Sequence, residues 1–165
     1  DRMSGLHELG VAALGEGLRA KRFSSVELTQ ALIRVPSVTP ARGAVFEVVE
    51  LLLKPLGFTC QRLPFGEGSD LTDNLYARWG NGAPHFCFAG HLDVVPPGDV
   101  SAWTSDPFSA DVRDGKLYGR GAADMKAAIA CMVAAVAQFD EVRYERGFGA
   151  GEFVFCFVLG IGHGE

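Results

Sequence analysis

The sequence predicts an α/β fold. Three segments carry that expectation: an apolar strand at His85–Ala89, an alanine-rich helix from Met125 to Phe139, and a final apolar strand, Glu152 to Leu159. A helix joining two strands over this length is a βαβ unit, and such crossovers are right-handed. The first strand is apolar on both faces, which suits a central strand covered by helices.

The remaining elements follow in order. Ser24-Ser25-Val26-Glu27 reads as a capping box, a hydroxyl and a glutamate three residues apart closing a helix N-terminus. That helix should end near Val35, because Pro36 disfavours helical geometry in the residue before it. Val45, Val48, Val49, Leu52, Leu53 and Leu56 fall on one face of a second helix, and Gly57 stands ready as its stop. Phe58 to Leu63 is a strand candidate, followed by a polar loop through Asp73. Asn74–Trp79 and His85–Ala89 flank Gly80-Asn81-Gly82-Ala83-Pro84, which suits a hairpin connection. Val94 to Pro107 is a proline-rich loop, and Asp114-Gly115 lies between alternating residues from Phe108 to Tyr118, a strong short-range hairpin signal. Gly119-Arg120-Gly121 is a turn, and the following helix is apolar nearly all round, as a buried helix is.

Composition narrows the class. The 165 residues are 48% apolar and 21% charged, with 15 basic and 20 acidic side chains giving a net charge of −5. That balance is globular, sized for one core, and speaks against a nucleic-acid partner. The longest apolar stretch, Phe153 to Ile161, is about half of the ~20 residues a membrane helix needs, so no membrane partner is expected. Cys60, Cys87, Cys131 and Cys156 lack the close spacing of zinc or redox motifs and read as reduced core residues, which favours a cytoplasmic protein. No secretion signal opens the chain. It starts at Asp1 and stops at Glu165 just after an apolar run, and so reads as a piece of a longer one.

In α/β sheets, ligands bind beyond the carboxyl ends of the strands. Gly90-His91-Leu92-Asp93 directly follows the first strand of the βαβ unit, and Asp124 directly precedes its helix. An imidazole and a carboxylate converging on one rim suit a divalent cation, above all zinc. Asp93 is placed to accept the hydrogen bond of the other ring nitrogen, fixing the tautomer. Each piece also has a plain reading: a His-x-Asp pair arises by accident, Asp124 suits a helix N-cap, and Lys126 reads as a solvated charge or one standing behind the site. Gly119-x-Gly121 lacks the third glycine of a dinucleotide loop.

Longer stretches carry a resemblance. They are Leu28 to Pro40, Leu63-Pro64-Phe65-Gly66, Phe88-Ala89-Gly90-His91-Leu92-Asp93-Val94-Val95-Pro96-Pro97-Gly98-Asp99, Trp103 to Pro107, and Leu117-Tyr118-Gly119-Arg120-Gly121-Ala122-Ala123-Asp124-Met125-Lys126. This wording, nearly continuous from Leu28 to Phe139, resembles the zinc metallopeptidase and deacylase family that includes succinyl-diaminopimelate desuccinylase, acetylornithine deacetylase, aminoacylases and glutamate carboxypeptidases. The proline pair and Gly98-Asp99 favour the desuccinylase branch.

The resemblance implies a three-layer α/β/α domain with a mixed, mostly parallel sheet, as in di-zinc exopeptidases. Residues 28–165 would be the N-terminal part of a zinc-dependent catalytic domain, and residues 1–27 a helical extension. It implies that His91 ligates one metal, that Asp93 orients it, and that Asp124 bridges both metals and joins Met125 through a cis peptide bond. Two zinc ions per site are implied, with cobalt as a substitute. The implied reaction is hydrolysis of the succinyl amide of N-succinyl-LL-diaminopimelate. Its alternatives are another amidohydrolase of the family, such as an acetylornithine deacetylase, or a non-catalytic metal-binding module. After the crossover strand the family places paired glutamates, a general base and a ligand; here the chain reads Gly160-Ile161-Gly162-His163-Gly164-Glu165, so Glu165 is the candidate catalytic base and His163 an alternative ligand. A further acidic ligand, a histidine ligand and the lid domain that makes the homodimer would lie past position 165. Leu18 to Thr29 is similar to the opening helices of amidase-signature enzymes without their catalytic serines or lysine, and implies no function.

Overall fold

The computed structural model of the chain describes residues 24–83, 85–146 and 152–157. Helix α1, Ser25–Ile33, opens on the expected capping box. Ser24 Oγ accepts from the Glu27 N–H at 3.1 Å, and Glu27 Oε2 accepts from the Ser24 N–H at 2.8 Å. Helix α2, Ala44–Leu53, buries Val45, Val48, Val49, Leu52 and Leu53. It stops short of Leu56 because Pro55 has no N–H to continue the ladder. A single 3-10 turn, Lys54–Leu56, follows, and Gly57 leaves it with φ of 87°.

Strands β1 (Thr59–Arg62), β2 (Leu75–Trp79), β3 (His85–Gly90) and β6 (Glu152–Phe157) form one sheet in the order β1-β2-β6-β3. Strands β4 (Val112–Arg113) and β5 (Lys116–Leu117) make a separate hairpin. Its turn is the expected Asp114-Gly115, both with positive φ. Helix α3, Ala127–Arg146, joins β3 to β6, which pair in parallel. The βαβ unit is therefore present.

Three expectations are corrected. Asn74–Trp79 and His85–Ala89 do not make a hairpin, because β6 lies between β2 and β3. Gly80–Pro84 must span two strand spacings, roughly 10 Å, which five residues do easily. Among the described residues the sheet is mixed but not mostly parallel: β1–β2 and β2–β6 are antiparallel, and β3–β6 is parallel. Strand β3 is an edge of the described sheet rather than a covered central strand, with Phe86 55% exposed and Cys87 exposed. Residues apolar on both sides read as buried whatever actually covers them. Helices α1, α2 and α3 share a single core with Leu75 and Ala77 of β2, so the helices cover one face. The second helical layer of a three-layer domain is not among the described residues.

Helix α3 runs past Phe139, and over residues 127–139 it is buried on one side, through Ile129, Ala130, Val133, Ala134, Val136 and Ala137. By length and composition Ala122–Phe139 is apolar enough to cross a membrane. Its buried residues nevertheless belong to the same core as α1 and β2. Cys87 and Cys131 are exposed and Cys60 is half-buried, so the cysteines are not uniformly core residues. An ionic cluster ties α2 to the sheet: Arg62 of β1 pairs with Glu50 and, at 3.3 Å, with Asp73, whose Oδ2 also accepts the Gly43 N–H at 2.8 Å.

Ser24→Ala removes the cap and is expected to cost about 1 kcal/mol, read as a lower urea midpoint at unchanged m-value. Burial pushes the Cys60 thiol up to about 11, which starves it of thiolate at pH 8. A disulfide reagent should therefore modify Cys131 of the native chain well before Cys60, as peptide mass mapping of partially labelled protein would show.

Candidate functional site

At the end of β3 the chain alternates between inside and outside. Leu92 and Val94 are buried, which turns His91 and Asp93 the other way. A second segment runs alongside and locks them. Ser37 Oγ donates to the Leu92 carbonyl at 2.6 Å, the Val94 N–H donates to the Ser37 carbonyl at 2.9 Å, and the Thr39 N–H donates to the Val94 carbonyl at 3.1 Å. Thr39 Oγ1 also donates to Asp93 Oδ2 at 2.6 Å. Asp93 is thus fixed from behind, with Oδ1 left for His91.

Asp124 arrives from the other side of the βα connection. Gly121 takes φ of 79°, and a wide turn, Ala122–Lys126, closes with the Lys126 N–H on the Gly121 carbonyl at 2.9 Å. Inside that turn Asp124 is extended, and its peptide bond to Met125 is cis, as the resemblance implies. Asp124 therefore does not cap α3, which begins at Ala127.

The two loops interlock closely. A Cβ on Gly121 would collide with Val94 Cγ1, and one on Gly90 would lie 3.1 Å from Met125 Cε. Gly121 demands glycine by its φ as well as its space, and Gly90 is a tight fit against the Met125 side chain.

The structure brings the three predicted side chains together. His91 Nδ1 lies 3.2 Å from Asp93 Oδ1 and 3.1 Å from the Asp93 carbonyl oxygen, while Nε2 lies 3.1 Å from Asp124 Oδ1. Exposure climbs across the row, from 14% for the Asp93 side chain through 36% for His91 to 86% for Asp124. One ring nitrogen is engaged on the protein side and the other is presented at the open rim.

This donor set fits a divalent cation. Two donors on one tetrahedral zinc, each at ~2.1 Å, stand about 3.4 Å apart, close to the observed Nε2 to Oδ1 separation. Two carboxylates around one imidazole leave the cluster negative, which also favours a cation. Among the described residues no group of three or more His, Cys, Asp or Glu side chains is arranged to hold an ion. The candidates Glu165 and His163 lie outside the described residues.

Two participants escape sequence reasoning. Nothing in the sequence singles out Thr39 as the partner of Asp93. Lys126, expected to be a solvated charge or one behind the site, is fully buried. Its Nζ donates to the Leu32 and Val35 carbonyls at 2.8 and 3.0 Å, and burial lowers its pKa to about 8. A signal existed: Lys126 is the sole charge between Asp124 and Asp140.

Comparison with known proteins finds a family match, curated relatives and solved structures of similar fold. Residues 87–158 match the model of peptidase family M20/M25/M40. The chain is 57% identical over 117 residues to a succinyl-diaminopimelate desuccinylase of Parvibaculum lavamentivorans, covering 70% of this chain and 30% of that protein. It is 60% identical over 113 residues to one of Rhodopseudomonas palustris, covering 68% and 29%. The chain thus spans about 30% of the length of these curated relatives. In fold it is similar to human carnosine dipeptidase 1, with a TM-score of 0.67 at 23% identity over 92% of this chain and 34% of that one. It is also similar to the M20 family metallo-carboxypeptidase Sso-CP2 of Sulfolobus solfataricus, with a TM-score of 0.64 at 18% identity over 82% and 30%. An α/β exopeptidase-like fold follows, and the segment that carries most of β3, His91 and Asp124 is similar to peptidase family M20/M25/M40.

Proposed function

We propose that this chain is the N-terminal part, over residues 28–165, of the catalytic domain of a metal-dependent amidohydrolase that releases succinate from N-succinyl-LL-diaminopimelate. The observation that supports the reading is the His91 ring held between Asp93 and Asp124, with Nε2 and Asp124 Oδ1 separated by 3.1 Å at an open rim. The desuccinylase names of the relatives support the substrate.

In this reading His91 and Asp124 hold the metal. Nδ1–H donates to the Asp93 carbonyl with the Asp93 carboxylate beside it, so the ring keeps its lone pair on Nε2 and stays in one orientation. Thr39 keeps the Asp93 carboxylate from turning away. Zinc, or cobalt in its place, supplies a Lewis acid for the amide carbonyl and lowers the pKa of bound water. Glu165 is the proposed base, taking a proton from water and delivering it to the leaving amine. The partner is a small molecule in a cytoplasmic biosynthetic route, and the whole protein pairs as a homodimer.

Calorimetric titration of the chain with zinc tests the site. The wild-type chain should bind, and both His91→Ala and Asp124→Ala should weaken binding about tenfold or more, equivalent to ~1.4 kcal/mol. Binding unchanged by Asp124→Ala would sink the shared site. With two described donors where zinc usually takes three or four protein ligands, the 165-residue chain should show no succinate release from N-succinyl-LL-diaminopimelate. Zinc-dependent release abolished by His91→Ala would overturn that expectation.

A further inference from the structure

We propose that Lys126 is a positioning residue for the His91–Asp124 pair, acting through the turn that its buried side chain ties to the end of α1. The inference rests on the proposed metal-holding role of that pair, although the placement itself needs no metal.

The turn from Ala122 to Lys126 is closed at its ends by two backbone bonds, from the Lys126 N–H to the Gly121 carbonyl and from the Ala127 N–H to the Ala122 carbonyl. Asp124 and Met125 are both non-helical, so no regular ladder sets where the Asp124 carboxylate stands. Its position is inherited from the two ends of the turn. One end is Gly121, whose bare Cα lies against Val94 of the loop that carries His91. The other is Lys126, whose backbone N–H closes the turn and whose ammonium reaches Leu32 and Val35.

Those carbonyls lie at the C-terminal end of α1, where oxygens lack intrahelical donors and the helix dipole favours a cation. Charge-assisted bonds of this kind are stronger and more directional than neutral ones. No carboxylate pairs with Lys126 among the described residues. A methionine would fill the same apolar space without desolvating a charge. What the ammonium adds is a tether from Asp124's turn to α1. The end of α1 is itself locked to the connection, since Ile33 Cγ2 would lie 2.6 Å from a Cβ on Gly119.

The test compares Lys126→Met with Val49→Ala, a core truncation in α2 remote from the turn, each measured for urea midpoint and for zinc affinity on the 165-residue chain. Lys126→Gln, which keeps an N–H donor, replaces the methionine variant if that one does not fold. The lysine variant should weaken zinc binding about tenfold, whereas Val49→Ala should leave affinity within about twofold at a comparable loss of stability. Equal affinities for Lys126→Met and wild type, or equal losses in both variants, would overturn the inference. A crystal structure of the lysine variant decides it without metal: Asp124 Oδ1 should leave hydrogen-bond distance of His91 Nε2, and an unmoved pair would overturn the proposal. Failure of the metal reading shows instead as wild-type chain that does not bind zinc, with the crystallographic result still standing.

Discussion

Two loops meet at the end of β3 because each offers a bare glycine where the other brings a side chain. Val94 fills the space beside Gly121, and Met125 fills the space beside Gly90. Everything that distinguishes the rim depends on this mutual fit. It places the Asp124 turn within hydrogen-bond reach of the His91 ring, although 33 positions separate them in the chain. The rest of the scaffold supplies anchors at a distance: Ser37 and Thr39 behind the His91 segment, and the end of α1 beneath the Asp124 turn. The site is built from loops, but each loop is tied to a rigid element or to its neighbour, which is how loop residues hold a fixed geometry.

The row Asp93, His91, Asp124 is graded in its access to water. The inner carboxylate accepts from Thr39 and lies 3.2 Å from the ring Nδ1, whose hydrogen bond goes to the Asp93 carbonyl. The outer carboxylate has one oxygen near the ring and is otherwise open to solvent. In the proposed metal site the inner group would orient the ring and the outer group would bind the cation. That division of labour between chemically identical side chains comes from packing alone.

Much of this could be read from the residues. Local signals held wherever the physics is local: the Ser24 capping box, the helix stop at Gly57 and the Asp114-Gly115 turn each depend on a few neighbouring atoms. The convergence of His91 and Asp124 followed from the topology of a βαβ unit, which sends both to one edge of the sheet. Failures came where a non-local partner decides. The Gly80–Pro84 hairpin was plausible by every short-range rule, yet β6 claims both flanking strands. The burial of β3 was inferred from its composition, but composition reports what a strand tolerates and not what lies over it. Thr39 and Lys126 join the site through carbonyls and a carboxylate remote in sequence, contacts that no periodicity encodes.

The insertion of β6 between β2 and β3 also sets an order of events as the chain leaves the ribosome. The β1–β2 pair and the helices before it emerge early and can associate through nearby contacts. Strand β3 emerges next, and among the described residues its sheet neighbour, Glu152–Phe157, is synthesised only later. Pairings between distant segments carry the loop-closure cost that slows folding. Among the described residues the sheet is therefore completed from its middle, when Glu152–Phe157 slots between β2 and β3.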